Sequence, residues 1–201
     1  MELYEVTYQG PEISDPALLE RLPEDLREML TQVNGFVQFG GGFHLRGVCQ
    51  EPDWHSLQEA WTGTEALSRL FPAVRESDIP FAQDALGDQY LLRDEQVVHL
   101  AAETGELDEL EVDFLTFLQA IQEDPMEALQ LMPLEDFWEE GGELEPGQLL
   151  SAYPPFCTVE AENGVDYKAI PVRDRLTFLS QLAEQLKDVP DGAEIELVPE
   201  P

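Results

Sequence analysis

Few side chains in this sequence have the type and spacing that catalysis or metal binding requires. Its three histidines, His44, His55 and His99, are isolated from one another, and none are spaced i and i+4 on a predicted helix, so the usual local zinc pattern is absent. Cys49 follows His44 by five residues and, with His55, forms the one cluster worth testing for metal. We interpret it as a strand histidine and a buried thiol, because free cysteine behaves as a small apolar side chain.

Two carboxylates at close spacing, Asp84 and Asp88, could hold a divalent cation. The segment lacks the alternating oxygen ligands of a calcium loop. Asp84, Gly87 and Asp88 are better explained as turn formers that accept backbone hydrogen bonds. The three glycines at 40–42 predict a turn or bulge between strands, because neither a lysine nor a helix follows them as in a phosphate-binding loop.

Nucleophilic catalysis has no motif in this chain. No Gly-x-Ser-x-Gly sequence occurs, and the carboxylates are so numerous that pairs of them mean little without geometry. A hydrolase that uses paired carboxylates is therefore kept only as a remote alternative. We predict no catalytic residue, no cofactor and no metal ion.

Acidic residues dominate the chain, and their distribution is uneven. The 43 Asp and Glu residues outnumber the 10 Lys and Arg residues, for a formal net charge of −33. Between Arg93 and Lys168 there are 20 carboxylates and no basic residue. Such a field repels nucleic acid and anionic membranes and speeds encounter with cationic partners. A salty cytoplasm or a need for solubility would explain the same acidity, so both readings stay open.

The elements that must position these groups are clearest between residues 79 and 118. Apolar runs at 79–82, 90–92 and 97–100 alternate with turns at 84–88 and 103–105, which predicts three strands. Phe114, Phe117 and Leu118 then change the period to that of a helix. The predicted structural turn residues are Asn34, Gly35, Asp84, Gly87, Asp88 and Gly105.

The segment 79–118 resembles the SUKH superfamily, the Smi/Knr type named after a fungal cell-wall synthesis regulator. The resemblance also includes three short segments before it, Leu22-Pro23-Glu24-Asp25-Leu26, Met29-Leu30 and Asn34-Gly35. The resemblance covers residues 15–121. Where many members carry a Trp-Asp-His-Glu-like string, this chain has His99-Leu100-Ala101-Ala102-Glu103. The resemblance implies a binding protein rather than an enzyme, since many bacterial members neutralise a secreted toxin, often a nuclease. The alternative is an intracellular scaffold or regulatory protein of the fungal type.

The chain after this segment is divided by its composition. A helix begins at Asp124-Pro125 and is closed by Pro133, and residues 135–148 form an acidic linker, because Gly, Pro and charge break the pattern. Strands at 156–161 and 165–172, joined by an Asn163-Gly164 turn, precede a helix at 174–188 and a strand at 193–198. We therefore predict a SUKH-like domain at 1–134 and a ββαβ extension at 149–201 that packs on the same body.

The patterns together predict an α+β fold, in which a twisted, mainly antiparallel sheet is covered by helices. A chain of 201 residues that is 43% apolar can bury such a core. No run of ~18 apolar residues occurs, and the N-terminus lacks a basic, apolar leader. We expect a cytoplasmic protein that binds neither membrane nor nucleic acid. Cys49 and Cys157 are interpreted as small buried apolar groups rather than a disulfide.

For function, the sequence predicts a non-catalytic binding module, an immunity protein that neutralises a basic toxin of the nuclease type. Phe137 and Trp138 are expected to dock against the core, with a partner-facing role as the alternative, because tryptophan is enriched at binding hot spots. The candidate partner contacts are Trp54, Trp61, Glu106, Asp108, Glu109, Glu111, Trp138, Glu139 and Glu140.

Overall fold

The computed structural model describes residues 3–190. Its main sheet has seven antiparallel strands, β1 (Val6–Gln9), β2 (Phe36–Gln38), β3 (Phe43–Leu45), β4 (Ile79–Asp84), β5 (Gln89–Arg93), β6 (Gln96–Ala101) and β7 (Glu106–Asp113). Their spatial order follows the chain, so each strand pairs with its sequence neighbour. β1 and β7 form the two edges of the sheet.

Eight helices lie within the described residues: α1 (Pro16–Leu19), α2 (Glu24–Gln32), α3 (Leu57–Thr62), α4 (Leu67–Leu70), α5 (Phe114–Glu123), α6 (Pro125–Ala128), α7 (Met132–Glu139) and α8 (Val172–Leu186). Short 3-10 helices occur at Phe39–Gly41, Asp53–His55 and Val159–Asn163. The predicted helix-covered, mainly antiparallel sheet is confirmed.

Both faces of the central strands are buried, because helices cover each of them. In β5, Tyr90 and Leu92 point into a core shared with α2 and α5, while Leu91 points to the opposite face. That opposite face packs on α4, which contributes Leu67, and on α8, which contributes Phe178 and Leu179. The burial of nearly every residue in β4 and β5 follows from this arrangement.

Helix α5 begins at an N-cap that the sequence supplies. Asp113 accepts a hydrogen bond from the backbone N–H of Thr116 at 2.8 Å, which satisfies one of the unpaired donors of the first turn. Phe117 then contacts Phe81 and Tyr90, with ring centroids 5.8 and 4.7 Å apart. These contacts fix the helix against the first face of the sheet.

Strand β7 is missing from the sequence-based prediction, which passes from the turn at 103–105 directly to the helix. Its residues are mostly exposed, and Glu111 adopts a positive φ of 55° at a shift of register with β6. The bulge interrupts the period of two that identifies a strand. The sequence-based prediction therefore missed β7, because its residues are mostly charged and their alternation is interrupted.

The C-terminal unit contains two strands, β8 (Gln148–Tyr153) and β9 (Asp166–Pro171), which pair antiparallel. The predicted strand at 156–161 is wrong: Val159–Asn163 is a 3-10 helix, and the pairing strand lies earlier, because Pro154 and Pro155 end it. The predicted helix at 174–188 corresponds to α8. The predicted strand at 193–198 lies outside the described residues.

The first residues of the predicted linker are helical. Residues 135–139 belong to α7, in which Pro133 lies in the first turn instead of closing the preceding helix. A proline is tolerated there because the first N–H groups of a helix have no partner within it. The division into a domain at 1–134, a linker at 135–148 and an extension at 149–201 stays a prediction.

Candidate functional site

The turn between β4 and β5 is built around Asp84. Its Oδ1 accepts hydrogen bonds from the backbone N–H groups of Leu86, Gly87 and Asp88, each at 3.0 Å. Gly87 has φ +98°, a conformation that glycine adopts without strain. The carboxylate therefore replaces backbone partners that this tight turn cannot provide.

The other predicted turn residues also occupy special backbone positions. Asn34 accepts a hydrogen bond from the N–H of Val48 at 2.7 Å and donates to the carbonyl of Pro11 at 2.8 Å. Gly35 has φ +77° and Gly105 has φ +74°. Asn34 thus ties the end of α2 to two other segments of the chain.

Asp88 connects this turn to β6. One oxygen accepts a hydrogen bond from the N–H of Ala102 at 2.8 Å, and the other lies 3.1 Å from Nε2 of His99. Within residues 3–190, Asp84, Asp88 and His99 are the one group of three whose ligand atoms lie within 4.8 Å of one another. Their oxygens already accept from backbone and imidazole donors, so hydrogen bonding accounts for the cluster.

Burial perturbs the titration of this cluster. Burial raises the pKa of Asp84 to about 8, and the charge of Asp88 adds to that effect. Burial alone would lower the pKa of His99, but the hydrogen bond and charge of Asp88, with smaller effects of Asp84 and Asp108, raise it overall. The first shift favours the neutral carboxyl of Asp84 at neutral pH, and the second favours the charged imidazolium of His99 beside Asp88.

Two of the histidines form a buried pair, so the prediction that all three are isolated is wrong. His44 Nε2 lies 2.8 Å from His55 Nδ1, and the rings are stacked with centroids 5.1 Å apart. His44 lies on β3, and the 3-10 helix Asp53–His55 returns beside it where Gly47 pairs with Ser56. Their separation of 11 positions in the sequence gave no signal of this contact.

The hydrogen bonds fix the tautomer of each ring. His55 Nε2 lies 3.0 Å from the carbonyl of Asn34, and a carbonyl can only accept, so the His55 proton is on Nε2. His55 Nδ1 must then accept from Nε2 of His44. His44 Nδ1 in turn accepts from Nε2 of Gln83 at 3.1 Å. All four ring nitrogens are used, and both imidazoles are neutral.

The pKa values agree with that assignment. Burial lowers the pKa of His55 to about 4, against the opposing bond to Asn34, and Arg46 lowers it further. Burial, the neighbouring His55 and Arg46 hold the pKa of His44 well below 6.5. Neither ring is placed to exchange a proton with a substrate, because each nitrogen is already paired inside the protein.

The chain of hydrogen bonds continues from Gln83 to a buried guanidinium. Arg46 is 2% exposed, and it donates to Oε1 of Gln83 at 2.7 Å and to Oε1 of Gln89 at 2.6 Å. It also donates to the carbonyls of Pro80 and Ala82 at 3.0 and 3.3 Å. Burial lowers the pKa of Arg46 to about 9, so it stays charged at neutral pH with neutral partners. The sequence-based prediction missed this network; the signal that could have indicated it is a glutamine, Gln83 or Gln89, in each of two mainly apolar strands.

Glu103 holds the segment between β8 and β9 against the main sheet. Its carboxylate accepts hydrogen bonds from the N–H groups of Phe156 and Cys157 at 3.3 and 3.0 Å, and it lies 3.8 Å from the buried Arg175. Burial raises the pKa of Glu103, and Arg175 opposes that shift. Cys157 is exposed rather than buried as predicted, whereas Cys49 is buried; neither forms a disulfide.

Several of the ten lysines and arginines are buried or paired with carboxylates. Arg46 and Arg175 are buried. Arg93 pairs with Asp78 at 2.6 Å and Arg173 with Glu65 at 2.5 Å, and the guanidinium of Arg21 lies over the Trp61 ring. Few positive charges remain to offset the exposed carboxylates.

The predicted acidic contacts lie on two different elements. The four at 106–111 project from the edge strand β7 and are exposed, beside Leu110, which is 37% exposed. Glu139 and Glu140 end α7, which packs on β9.

The end of α7 and the β8–β9 segment enclose an open groove of about 570 Å³. Asp136, Glu139 and Glu140 form one wall. The opposite wall is apolar and aromatic, with Phe156, Ala161, Val165 and Tyr167. The sequence-based prediction missed this second wall, because it assigned 156–161 to a strand.

The three tryptophans contact different parts of the fold. Trp54 is half-buried beside Tyr8 and His44, with ring centroids 4.9 and 5.2 Å apart. Trp61 donates from Nε1 to the carbonyl of Glu76 at 3.0 Å. Trp138 packs over Gly40 and is still 37% exposed. They do not form a common aromatic anchor.

The profile of the SMI1 / KNR4 family (SUKH-1) matches residues 17–120, more than half of the chain. The chain belongs to the SMI1/KNR4 family. The resemblance to the SUKH superfamily is therefore confirmed. The matched range contains strands β2 to β7 and the Asp84 turn, while the groove beside α7 lies beyond it.

One solved structure is similar in architecture. The crystal structure of Atu4351 from Agrobacterium tumefaciens superposes with a TM-score of 0.54 at 14% sequence identity, over 88% of this chain and 85% of that chain. A search of curated proteins finds no match. At this identity the likeness concerns the fold alone.

SMI1/KNR4 membership places the chain among immunity proteins and Smi1/Knr4-type modules, which are generally non-catalytic and bind partner proteins. Within residues 3–190, no helix is both long and apolar enough to cross a membrane.

Proposed function

We propose that this SMI1/KNR4 protein is a non-catalytic immunity protein that binds and neutralises a basic protein toxin. The observation that carries the proposal is the acidic exterior: the chain has 43 Asp and Glu residues against 10 Lys and Arg residues, and two of those arginines, Arg46 and Arg175, are buried. A surface of one sign accelerates encounter with a partner of the opposite sign and disfavours nucleic acid. The buried, fully paired histidines support a binding role rather than catalysis.

The edge strand β7 supplies the steering charge in this proposal. Its carboxylates at 106, 108, 109 and 111 are exposed, and within residues 3–190 none of them forms an ion pair with a lysine or arginine. Charges on an edge strand also prevent the strand from pairing with a second copy. The same residues would thus limit self-association and attract a basic partner.

The test is co-expression with the product of a toxin gene next to the gene for this chain, scored by cell survival. Association of the purified pair is then measured at low and high salt. We expect survival with the intact chain and an association rate that falls at least about tenfold on raising salt from 50 to 500 mM.

A variant in which four of the five carboxylates of β7 are neutralised, by Glu106→Gln, Asp108→Asn, Glu109→Gln and Glu111→Gln, is expected to associate more slowly while its dissociation rate changes little. An association rate indifferent to salt would contradict the electrostatic part of the proposal. Binding to several host proteins, with no effect on toxicity, would favour the regulatory-scaffold alternative.

A further inference from the structure

The apolar wall of the groove beside α7 is exposed although aromatic side chains are costly to leave in water. Phe156 is 42% exposed and Val159, on the same segment, is 69% exposed. Phe156 and Tyr167 lie with ring centroids 6.4 Å apart and an angle of 44° between their planes. Exposed apolar residues grouped in this way mark interaction sites.

The segment that carries this wall is held in place before any partner arrives. Glu103 accepts hydrogen bonds from the N–H groups of Phe156 and Cys157, and Thr158 donates to the carbonyl of Pro155 at 2.8 Å. A preorganised surface loses less conformational entropy on binding. Phe156 is therefore presented as a fixed surface beside α7.

The carboxylate wall has no cation of its own. Within residues 3–190, no lysine or arginine forms an ion pair with Asp136, Glu139 or Glu140. Their field reaches the aromatic wall: burial raises the pKa of Tyr167, and the charges of Asp136 and Glu140 raise it further. The groove thus combines negative charge with two ring faces in one space.

We propose that this groove binds an arginine side chain of the basic partner protein. A guanidinium stacks on aromatic rings and donates to carboxylates at the same time, which matches the two walls. This inference rests on the proposed function and adds where the partner is gripped. The proposed arginine-binding site then lies on α7 and the β8–β9 segment, outside residues 17–120 that match the family.

Charge excludes the other occupants that the chain itself could supply. Residues 191–201 contain four carboxylates and no lysine or arginine, so the groove would repel them. A second copy, with a net charge of −33, would be repelled as well. A cationic side chain from a different protein is the occupant that charge complementarity selects.

The experiment titrates the full chain with N-acetyl-arginine amide and follows backbone amides by NMR. N-acetyl-citrulline amide, which has nearly the same shape without the charge, is the matched control. We expect saturable shifts at Ala161, Val165 and Tyr167 with the arginine probe, and affinity at least about fivefold weaker with the citrulline probe.

Variants separate the groove from the general negative field. E139Q/E140Q is expected to weaken arginine binding about fivefold, and Phe156→Leu, which keeps apolar bulk without a ring, about threefold. E24Q/E28Q removes two exposed carboxylates from α2 instead and is expected to leave the affinity unchanged within about twofold.

Three results would overturn the inference: equal binding of both probes, shifts centred on β7 or another surface, or equal weakening by E24Q/E28Q and E139Q/E140Q. Because the titration needs no toxin, such a result leaves the survival test of the proposed function intact. Conversely, if the groove binds arginine but the chain gives no protection from the toxin, the arginine site stands and the immunity function is refuted.

Discussion

The buried pair His44 and His55 predicts that the protein loses stability on acidification. The pKa of His55 falls from an ordinary 6.5 to about 4 in the folded chain. Between these values the unfolded chain binds a proton that the folded chain does not. The stability from neutral His55 is therefore fully present above about pH 6.5 and is lost as the pH falls toward 4.

The size of the effect follows from the shift. Each pKa unit corresponds to about 1.4 kcal/mol, so the shift of His55 contributes about 3 kcal/mol that disappears on acidification. His44, shifted in the same direction, adds to the loss. Such a change is a large share of the roughly 5–15 kcal/mol that stabilises a typical domain.

The assay compares the free energy of unfolding, from urea titrations at pH 7 and pH 4, for the natural chain and for His55→Gln. The variant loses packing and hydrogen bonds at pH 7, but it no longer carries the titrating ring. We expect its deficit relative to the natural chain to shrink by about 3 kcal/mol at pH 4.

His99→Gln is the control of opposite sign. The pKa of His99 is raised, so its contribution is present below its ordinary pKa and is lost as the pH rises through the folded value. The deficit of that variant should grow at acidic pH. NMR of the three imidazoles gives a direct check: a pKa near 6.5 for His55, or a proton on its Nδ1, would refute the reasoning.

Three further predictions concern the polar network and its neighbours. Arg46→Met removes the donor to Oε1 of Gln89 and leaves Oε1 of Gln83 with the long bond from Nε2 of Gln89 at 3.3 Å. It should cost about 3–5 kcal/mol in urea unfolding, whereas the exposed Arg75→Met should change stability by less than about 0.5 kcal/mol. Asp84→Asn keeps the three backbone hydrogen bonds, so the variant should fold. The raised pKa of Asp84 makes the natural chain lose stability as the pH rises from 3.8 toward 8, so the variant should lose less stability over that interval. An unchanged slope of the unfolding free energy against pH would contradict the raised pKa. Glu103→Ala removes both acceptors that hold the β8–β9 segment, so amide hydrogen exchange at Phe156 should accelerate at least about tenfold without a comparable change in the β5 amides.

Much of the fold follows from local patterns in the sequence. Alternating apolar residues and turn formers identified β4, β5 and β6, and the period of 3.6 identified α5, because these elements bury one face or both against a common core. Strand β7 escaped because the bulge at Glu111 interrupts its alternation. Helix α7 was shortened because a proline in a first helical turn looks, in sequence, like one that ends a helix.

The candidate site was harder to predict for a different reason. Its parts come together through long-range contacts: His44 with His55, Arg46 with Gln89, and Glu103 with the N–H of Phe156. Composition identified the negative charge, and single residues such as Glu139 were named in advance. The aromatic wall that faces them depends on how β8 and β9 pair, which no local pattern specified.

The order of the seven strands has a consequence for how the chain is made. Since every strand pairs with the one before it, the sheet can be assembled strand by strand as the polypeptide leaves the ribosome, with little loop closure at each step. The face that carries Leu91, Val98 and Leu100 is covered partly by α4, and its cover is completed by α8, the last described helix. Nascent chains that stop before residue 172 would expose that apolar face, which makes them targets for chaperones and a source of aggregation until synthesis reaches α8.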